Sequence, residues 1–297
     1  MNEELLYKEE HTSCFMYEGH DDPTITHVCK EKGDVLEVNE NYNRVFFLLK
    51  GEINFIYENT YIVFKEGTFI LLPRGCKYTM NIKEDASIII VNVHYNISFC
   101  EHFTLKILHQ LNKHLLPDNS LIYPLKINTV LSIYLSNIAA TIAAGLKCSY
   151  FHEIKQRELF YYLRAYYCKN ELAAFFLPML NDDMDFAEQI YQNYASAKNI
   201  VELANGTNYS ISGFKKRFVK VFGISPYHWM EKEKAKKIHH EINCTHKTFK
   251  EIFLEYDFCS ASHFNTFCKK MYGVSPAALR KNTMCVVSFE KELRNIC

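Results

Sequence analysis

The sequence predicts a two-domain α+β protein: an N-terminal antiparallel β-barrel with helices attached, followed by a C-terminal all-α domain. Three observations support this. Short runs of β-type residues fill the first hundred residues, and the hydrophobic periodicity becomes helical near Phe103. A short sequence motif occurs twice near the C-terminus. The chain has 297 residues, 48% of them hydrophobic and 23% charged, which suffices for two domains with ordinary cores.

The barrel is predicted from the stretch "NRVFFLLKGEINFIYENTYIVFKEGTFILLPRG", which alternates β-type runs with turn residues. Gly51, Gly67 and Pro73 mark the turns, and strands at such short spacing are typical of antiparallel barrels or sandwiches. The stretch and its flanks are rich in aromatic residues, which can either line a ligand pocket or fill a packed core. They are Tyr42, Phe46, Phe47, Phe55, Tyr57, Tyr61, Phe64, Phe69 and Tyr78.

Helical stripes follow the barrel. The most regular one contains Ile127, Leu131, Leu135 and Ile138, at spacings of three and four residues. This stripe fits a dimer interface as well as it fits a face packed on the barrel, and the sequence leaves both alternatives open. The acidic stretch after Pro178 predicts a boundary, giving domains 1–182 and 183–297.

The repeated motif reads Phe222-Gly-Ile-Ser-Pro in its first copy and, fifty residues later, Tyr272-Gly-Val-Ser-Pro in its second. Before each copy, a short helix, a tight turn and a second helix are predicted, with Ser210 and Ser260 as N-caps and Gly223 and Gly273 as ends. Each copy therefore predicts a helix-turn-helix, and the segment after Pro226 predicts a linker helix. A helical solenoid would need at least three repeats.

The phrases "NIVELANGTNYSISGFKKRFVKVFGISPYHW" and "FKEIFLEYDFCSASHFNTFCKKMYGVSPAALRK" resemble the DNA-binding domain of the AraC/XylS family of bacterial transcription regulators. The whole chain resembles the two-domain members, which implies a cupin-like N-terminal barrel and helices used for dimerisation. The resemblance also implies two recognition helices joined by a linker helix. A linker of this length can set them about 34 Å apart, so that they enter successive major grooves.

The second copy departs from the family pattern at two positions. Phe253 stands where the first helix normally has a small residue, and Asp257 stands where the turn normally has Gly. Asp tolerates a left-handed backbone better than most residues, so we expect the turn to form. Phe253 needs room, which Cys268 can provide because it stands opposite Phe218 of the first copy.

The resemblance implies a set of DNA-binding residues on the two recognition helices. Phe214, Phe218 and Val221 are expected to face the core of the first, and Phe264, Phe267 and Met271 that of the second. The predicted DNA-binding residues are Ser212, Lys215, Lys216, Arg217, Lys220, Ala261, Ser262, His263, Thr266, Lys269 and Lys270. Of these, Lys220, Lys269 and Lys270 are placed for phosphates, and Arg217 contacts the backbone or is structural.

No base-reading position is Arg, although Arg–guanine is the commonest strong direct contact. We therefore expect modest discrimination at each base, with a large contribution from phosphates and DNA shape. Charge supports a polyanionic partner: residues 183–297 hold 17 Lys and Arg against 12 Asp and Glu. The expected partners are promoter DNA and a second copy of the chain, with a small-molecule effector and RNA polymerase as further candidates.

Other classes of protein find little support. The barrel offers His27 and His94 without the His-x-His pattern of metal-binding cupins, and no nucleophile elbow, P-loop or dinucleotide fingerprint occurs. We expect no enzymatic activity, no cofactor and no metal. The eleven scattered cysteines without a CxxC pair, and the lack of a long apolar run or signal peptide, predict a cytoplasmic protein without membrane spans.

Overall fold

The structure is a computed structural model that describes residues 8, 17, 24–39, 42–57, 60–75, 77–95, 97–100, 103–112, 122–180 and 182–281. The chain forms two compact units, Met1–Gly223 and Ile224–Cys297. The first helix-turn-helix lies in the first unit and the second in the second unit. The predicted division into domains 1–182 and 183–297 stays a prediction.

The N-terminal strands form two antiparallel sheets. The five-stranded sheet has the order β1-β8-β3-β6-β11, the four-stranded sheet has the order β2-β7-β4-β5, and β9 and β10 form a separate pair. The strands are β1 (Ile25–Lys30), β2 (Val35–Asn39), β3 (Asn43–Lys50), β4 (Glu52–Tyr57), β5 (Thr60–Lys65), β6 (Thr68–Leu72), β7 (Lys77–Ile82), β8 (Ala86–Val93), β9 (Ser98–Cys100), β10 (Phe103–Thr104) and β11 (Leu125–Lys126). The antiparallel N-terminal fold is confirmed, as two facing sheets in the residues described.

Aromatic side chains fill the space between the two sheets. The Tyr78 ring contacts those of Phe46 and Phe55, with centroids 5.9 and 5.1 Å away. Phe46, Phe55, Phe64 and Tyr78 are almost fully buried in this core, together with aliphatic residues of both sheets. Such edge-to-face and tilted contacts are those of a packed core.

A second core lies between the other face of the five-stranded sheet and a layer of helices. The helices are α1 (Leu105–Asn112), α2 (Thr129–Ala143), α3 (Ser149–Tyr166) and α4 (Lys169–Phe176), with a 3₁₀ turn at Leu177–Met179. On α2, Leu131 and Leu135 are fully buried and Ile138 is 1% exposed, all in this core. Of the two alternatives for this stripe, the structure therefore shows the face packed on the sheet.

The first helix-turn-helix follows α5 (Asp182–Tyr194) and consists of α6 (Ile200–Asn205) and α7 (Ile211–Phe222). Ser210 caps α7 by accepting a hydrogen bond from the Gly213 N–H, and Gly223 ends the helix at φ 82°. A left-handed residue at this position is favourable for Gly because Gly has no Cβ. The predicted bounds of the first unit's recognition helix are confirmed.

The second unit contains the linker helix α8 (Pro226–Cys244), α9 (Phe249–Glu255) and α10 (Ala261–Tyr272). Ser225 and Ser260 cap α8 and α10, and Gly273 ends α10 at φ 73°. The Tyr272 hydroxyl donates to the Ala235 carbonyl at 2.7 Å, which fixes α10 on the linker helix. No described helix of either unit is long and apolar enough to cross a membrane.

The two helix-turn-helix units differ by one residue in the length of their first helix, which has six residues in α6 and seven in α9. Eleven positions separate the N-caps Asn199 and Ser210, whereas twelve separate Thr248 and Ser260. The turn of the second helix-turn-helix contains Asp257 at φ 53°, the one described non-glycine residue with positive φ. The expectation that Asp would support a left-handed turn is thereby confirmed.

Phe253 is half-buried, and its ring lies 6.5 Å from that of Phe264 on α10. Cys268 is fully buried where the first copy has the larger Phe218. The smaller side chain supports the expectation that room for Phe253 is made within the second recognition helix.

We expect Asp257→Val to lower the free energy of unfolding by about 1–2 kcal/mol, because a β-branched residue is strained in a left-handed backbone. Asp257→Asn is the matched control: it removes the same charge but tolerates the same φ, and should cost less than about 0.5 kcal/mol. Denaturant unfolding of the two variants measures the difference. Equal stabilities would show that the turn carries no such strain.

Candidate nucleic-acid interface

The first recognition helix, α7, has one buried face and one exposed face. Phe214, Phe218 and Val221 are buried, as predicted. Ser212, Lys215 and Lys216 are exposed on the rest of the helix. Among the described residues no carboxylate forms an ion pair with Lys215 or Lys216, so both ammonium groups are available to an anionic partner.

The two remaining cations of α7 are held within the unit. Arg217 Nη2 lies 2.8 Å from Asp183 Oδ1 at the start of α5, and its side chain is only 19% exposed. The guanidinium also lies 6.0 Å from the ring centroid of Phe186. Lys220 Nζ is 3.8 Å from the same carboxylate oxygen but is largely exposed. In this state Arg217 is structural, and Lys220 is shared between Asp183 and solvent.

The second recognition helix, α10, exposes every residue predicted for it: Ala261, Ser262, His263, Thr266, Lys269 and Lys270. Phe264 and Phe267 are buried, and Met271 is partly buried. The His263 ring stands edge-on to Phe258, with centroids 5.2 Å apart. The Thr266 hydroxyl donates to the Ser262 carbonyl at 3.0 Å, which leaves its lone pairs free to accept.

An acidic residue of the linker helix lies against this surface. Lys270 Nζ contacts Glu231 Oε1 at 2.5 Å, and this hydrogen bond raises the pKa of Lys270. His228 Nδ1 lies 3.8 Å from the other oxygen of the same carboxylate. A phosphate that binds Lys270 must therefore compete with Glu231, whereas no such competitor is present beside Lys216 among the described side chains.

Two basic residues outside the predicted set hold the second unit together. Lys234 Nζ donates to the Tyr256 carbonyl at 2.6 Å and lies 4.0 Å from the centre of the Phe258 ring, so it clamps the turn before α10. Burial lowers the pKa of Lys234, and the charge of Asp257 opposes that shift. Arg280 donates to the carbonyls of Ile242 and Lys247 at 3.0 and 2.7 Å. Both look in the sequence like ordinary surface cations.

The chemistry of the two exposed faces is that of a nucleic-acid surface with few base-specific donors. Lysines and hydroxyls dominate, and neither exposed face carries a free guanidinium fork. No group of three or more His, Cys, Asp or Glu that could hold a metal ion occurs in the part of the chain that the structure describes.

Comparison with known proteins assigns families to both parts of the chain. Residues 203–282 match a family profile described as a helix-turn-helix domain, and residues 43–175 match one described as the ExsA N-terminal regulatory domain. No curated protein matches the chain.

Among solved structures, ToxT from Vibrio cholerae is 15% identical, with 87% of this chain and 97% of ToxT covered at a TM-score of 0.36. ToxT from V. cholerae strain SCE256 with a bound unsaturated fatty acid is 15% identical, with 89% and 97% covered at 0.37. ToxT from V. cholerae O395 with a naphthalenyl-butenoic acid is 17% identical, with 87% and 98% covered at 0.39.

Proposed function

Because the chain belongs to the AraC/XylS family of transcription regulators, we propose that it binds promoter DNA through the exposed faces of α7 and α10. The residues in contact would be Ser212, Lys215, Lys216 and Lys220 of α7, and Ala261, Ser262, His263, Thr266, Lys269 and Lys270 of α10. Arg217 supports α7 from behind. A protein that binds bacterial promoter DNA must reach the chromosome, so we expect it in the cytoplasm. RNA polymerase is a further candidate partner.

The observation that carries this proposal is the division of each recognition helix into a buried aromatic face and an exposed lysine- and hydroxyl-bearing face. The buried face fixes the helix on its unit, and the exposed face has the length of the base-contacting part of a recognition helix. Lys216 lies near the middle of the exposed face of α7, and His263 lies near the start of α10.

Selection of binding sites from random double-stranded DNA tests this function. We expect recovery of two short conserved elements in neighbouring major grooves, without a strong requirement for guanine, because no exposed position of either helix is Arg. A strongly guanine-dependent consensus would contradict the predicted readout. Recovery of no consensus at all would contradict sequence-specific binding.

The N-terminal domain can either bind a small-molecule effector or serve for assembly with a second copy of the chain. The packing of its aromatic core favours assembly. The aromatic side chains that could have lined a pocket contact one another instead: the rings of Phe47 and Phe69 are stacked at 4.9 Å, and Phe69 contacts Phe175 at 5.0 Å. A ligand placed among them would have to displace close-packed side chains, which costs free energy. We therefore propose that assembly is the main role of this domain.

A second copy of the chain fits one particular surface, the outer face of α3. Tyr150, Ile154 and Tyr161 follow one another at helical spacing on this face and are 42, 65 and 55% exposed. They flank Arg157 and Glu158, which line the same shallow groove as Ile154 and Tyr161. Large apolar side chains in one line are uncommon on a surface that stays in water.

The adjacent charges Arg157 and Glu158 on α3 can pair with the same two residues of a second copy. If two α3 helices pair antiparallel across a two-fold axis between Arg157 and Glu158, each Arg157 faces the Glu158 of the second copy. Ile154 then faces Tyr161, and the relation holds in both directions, as a two-fold interface requires. We propose that the homodimer forms through this face rather than through the buried stripe of α2.

We expect the double variant Ile154→Lys and Tyr161→Lys to be a folded monomer, because four lysines would meet at the two-fold axis. Sedimentation at micromolar concentration measures the mass, and circular dichroism reports the fold. Ile133→Lys on α2 is the matched control, since Ile133 is 67% exposed but lies on another helix. A double variant that remains dimeric would rule out this face.

A further inference from the structure

The turn between β6 and β7 contacts the first recognition helix. Arg74 Nη2 donates a hydrogen bond of 2.6 Å to the carbonyl of Val219 on α7, a residue 145 positions further along the chain. The Arg74 N–H donates to Asn43 Oδ1 at 3.0 Å, which ties the turn to β3. The Val219 carbonyl also accepts from Gly223 N–H, so Arg74 acts on the last turn of α7, where the helix dipole is negative.

The surroundings of Arg74 show that this contact is built into the unit. Desolvation lowers the pKa of Arg74, and the charges of Tyr95, Asp183 and Tyr42 oppose that shift. Arg74 lines a narrow cleft together with Tyr95 of the strand-β8 end and Phe222 of α7. The sheet end and the end of α7 therefore line one cleft and are joined by the hydrogen bond from Arg74.

Asp183 engages the same helix and also interacts with the charge of Arg74. Its carboxylate lies 2.8 Å from Arg217 and 3.8 Å from Lys220. Lys220 belongs to the proposed DNA surface, and a carboxylate beside it repels an approaching phosphate, whereas Arg217 is the structural partner of Asp183. Two of the four basic side chains of α7 are thus engaged by an acid of α5.

We propose that Arg74 and Asp183 form an intramolecular clamp that restrains α7 and lowers the affinity of the first helix-turn-helix for DNA. The proposal rests on the function proposed above and adds a route of regulation to it. DNA opens the clamp by supplying phosphates in place of Asp183. Any event that moves the β6–β7 turn opens it by withdrawing Arg74, and this couples the N-terminal sheets to α7.

The clamp is tested by titrating the full chain with the DNA recovered by selection. Asp183→Asn and Arg74→Ala are each expected to tighten binding about three- to tenfold, which is the size of the net contribution of one ordinary hydrogen bond. Asp183→Asn should also steepen the slope of log affinity against log salt by about 0.9 for each cation that gains a phosphate. Lys83→Ala is the control, because Lys83 is an exposed cation in another turn of the same sheets. Unchanged or weaker binding by both variants overturns the clamp.

A measurement without DNA separates this proposal from the proposed function. Hydrogen exchange of the α7 amides should be faster in Arg74→Ala than in the wild type and in Lys83→Ala, because the last turn of the helix loses its external hydrogen bond. Unchanged exchange in α7 overturns the clamp whatever the titrations show. If exchange rises but neither wild type nor variants bind any DNA, the proposed function fails and the clamp loses its role with it.

Discussion

Lys216→Ala is expected to weaken binding to the selected DNA by about 1–3 kcal/mol if the side chain reaches a base. The expectation follows from the structure of α7, in which Lys216 is exposed and no described carboxylate pairs with it. If Lys216 contacts only phosphate, the loss should be similar for all sequences and the salt slope should fall by about 1. Titrations at several salt concentrations distinguish the two outcomes.

The matched variant is His263→Ala on α10, which should cost less and act on one or two base pairs. The His263 ring contacts that of Phe258, and Lys270, one of the two predicted phosphate contacts of α10, is already paired with Glu231. We therefore expect affinity to rest mainly on the first helix-turn-helix. If His263→Ala lowered the affinity for DNA more than Lys216→Ala did, the second helix-turn-helix would contribute more to binding than the first. The expectation that affinity rests mainly on the first would then be wrong.

The local signals of the helix-turn-helix units could be predicted because each is decided within a few residues. Ser210 and Ser260 cap the helices that follow them, and Gly223 and Gly273 adopt the left-handed conformation that ends them. Asp257 follows the same logic, since its short polar side chain permits a left-handed turn without glycine. These features need no knowledge of distant parts of the chain.

Contacts between distant residues could not be predicted in this way. Arg74 carries no signal that it would reach Val219, because the two residues are joined only by the fold. Arg217 and Lys220 look like DNA contacts in the sequence, and their shared partner Asp183 lies on a different helix. The pairing of Lys270 with Glu231 carries no sequence signal for the same reason.

The stripe on α2 shows what periodicity does and does not establish. Spacings of three and four residues indicate that Leu131, Leu135 and Ile138 share a face that avoids water, but they do not say what covers it. In the structure the five-stranded sheet and its helices cover it. The exposed face of α3 gives no such pattern in the sequence, because Arg157 and Glu158 interrupt its apolar residues.

Leu135→Lys is therefore expected to unfold the N-terminal domain rather than to release a folded monomer. Leu135 is fully buried in a core shared by the sheet and the helices. An unpaired ammonium group there must either lose its water or force the helix away from the sheet, at a cost of several kcal/mol. Because the free energy of unfolding of a domain is commonly only about 5–15 kcal/mol, this substitution removes a large part of its stability.

Two further variants make the result interpretable. Leu135→Ala should cost about 2–5 kcal/mol through lost burial and the cavity left behind, without adding a charge. Ile133→Lys adds the same charge to the same helix on its exposed side and should leave the fold intact. Thermal unfolding by circular dichroism ranks the three, and sedimentation gives their masses. If Leu135→Lys melted like Ile133→Lys and ran as a monomer, the stripe would be the dimer interface and α3 would not. The structure predicts the opposite order, because the free energy of folding depends on the buried face of α2 and that of dimerisation on the exposed face of α3.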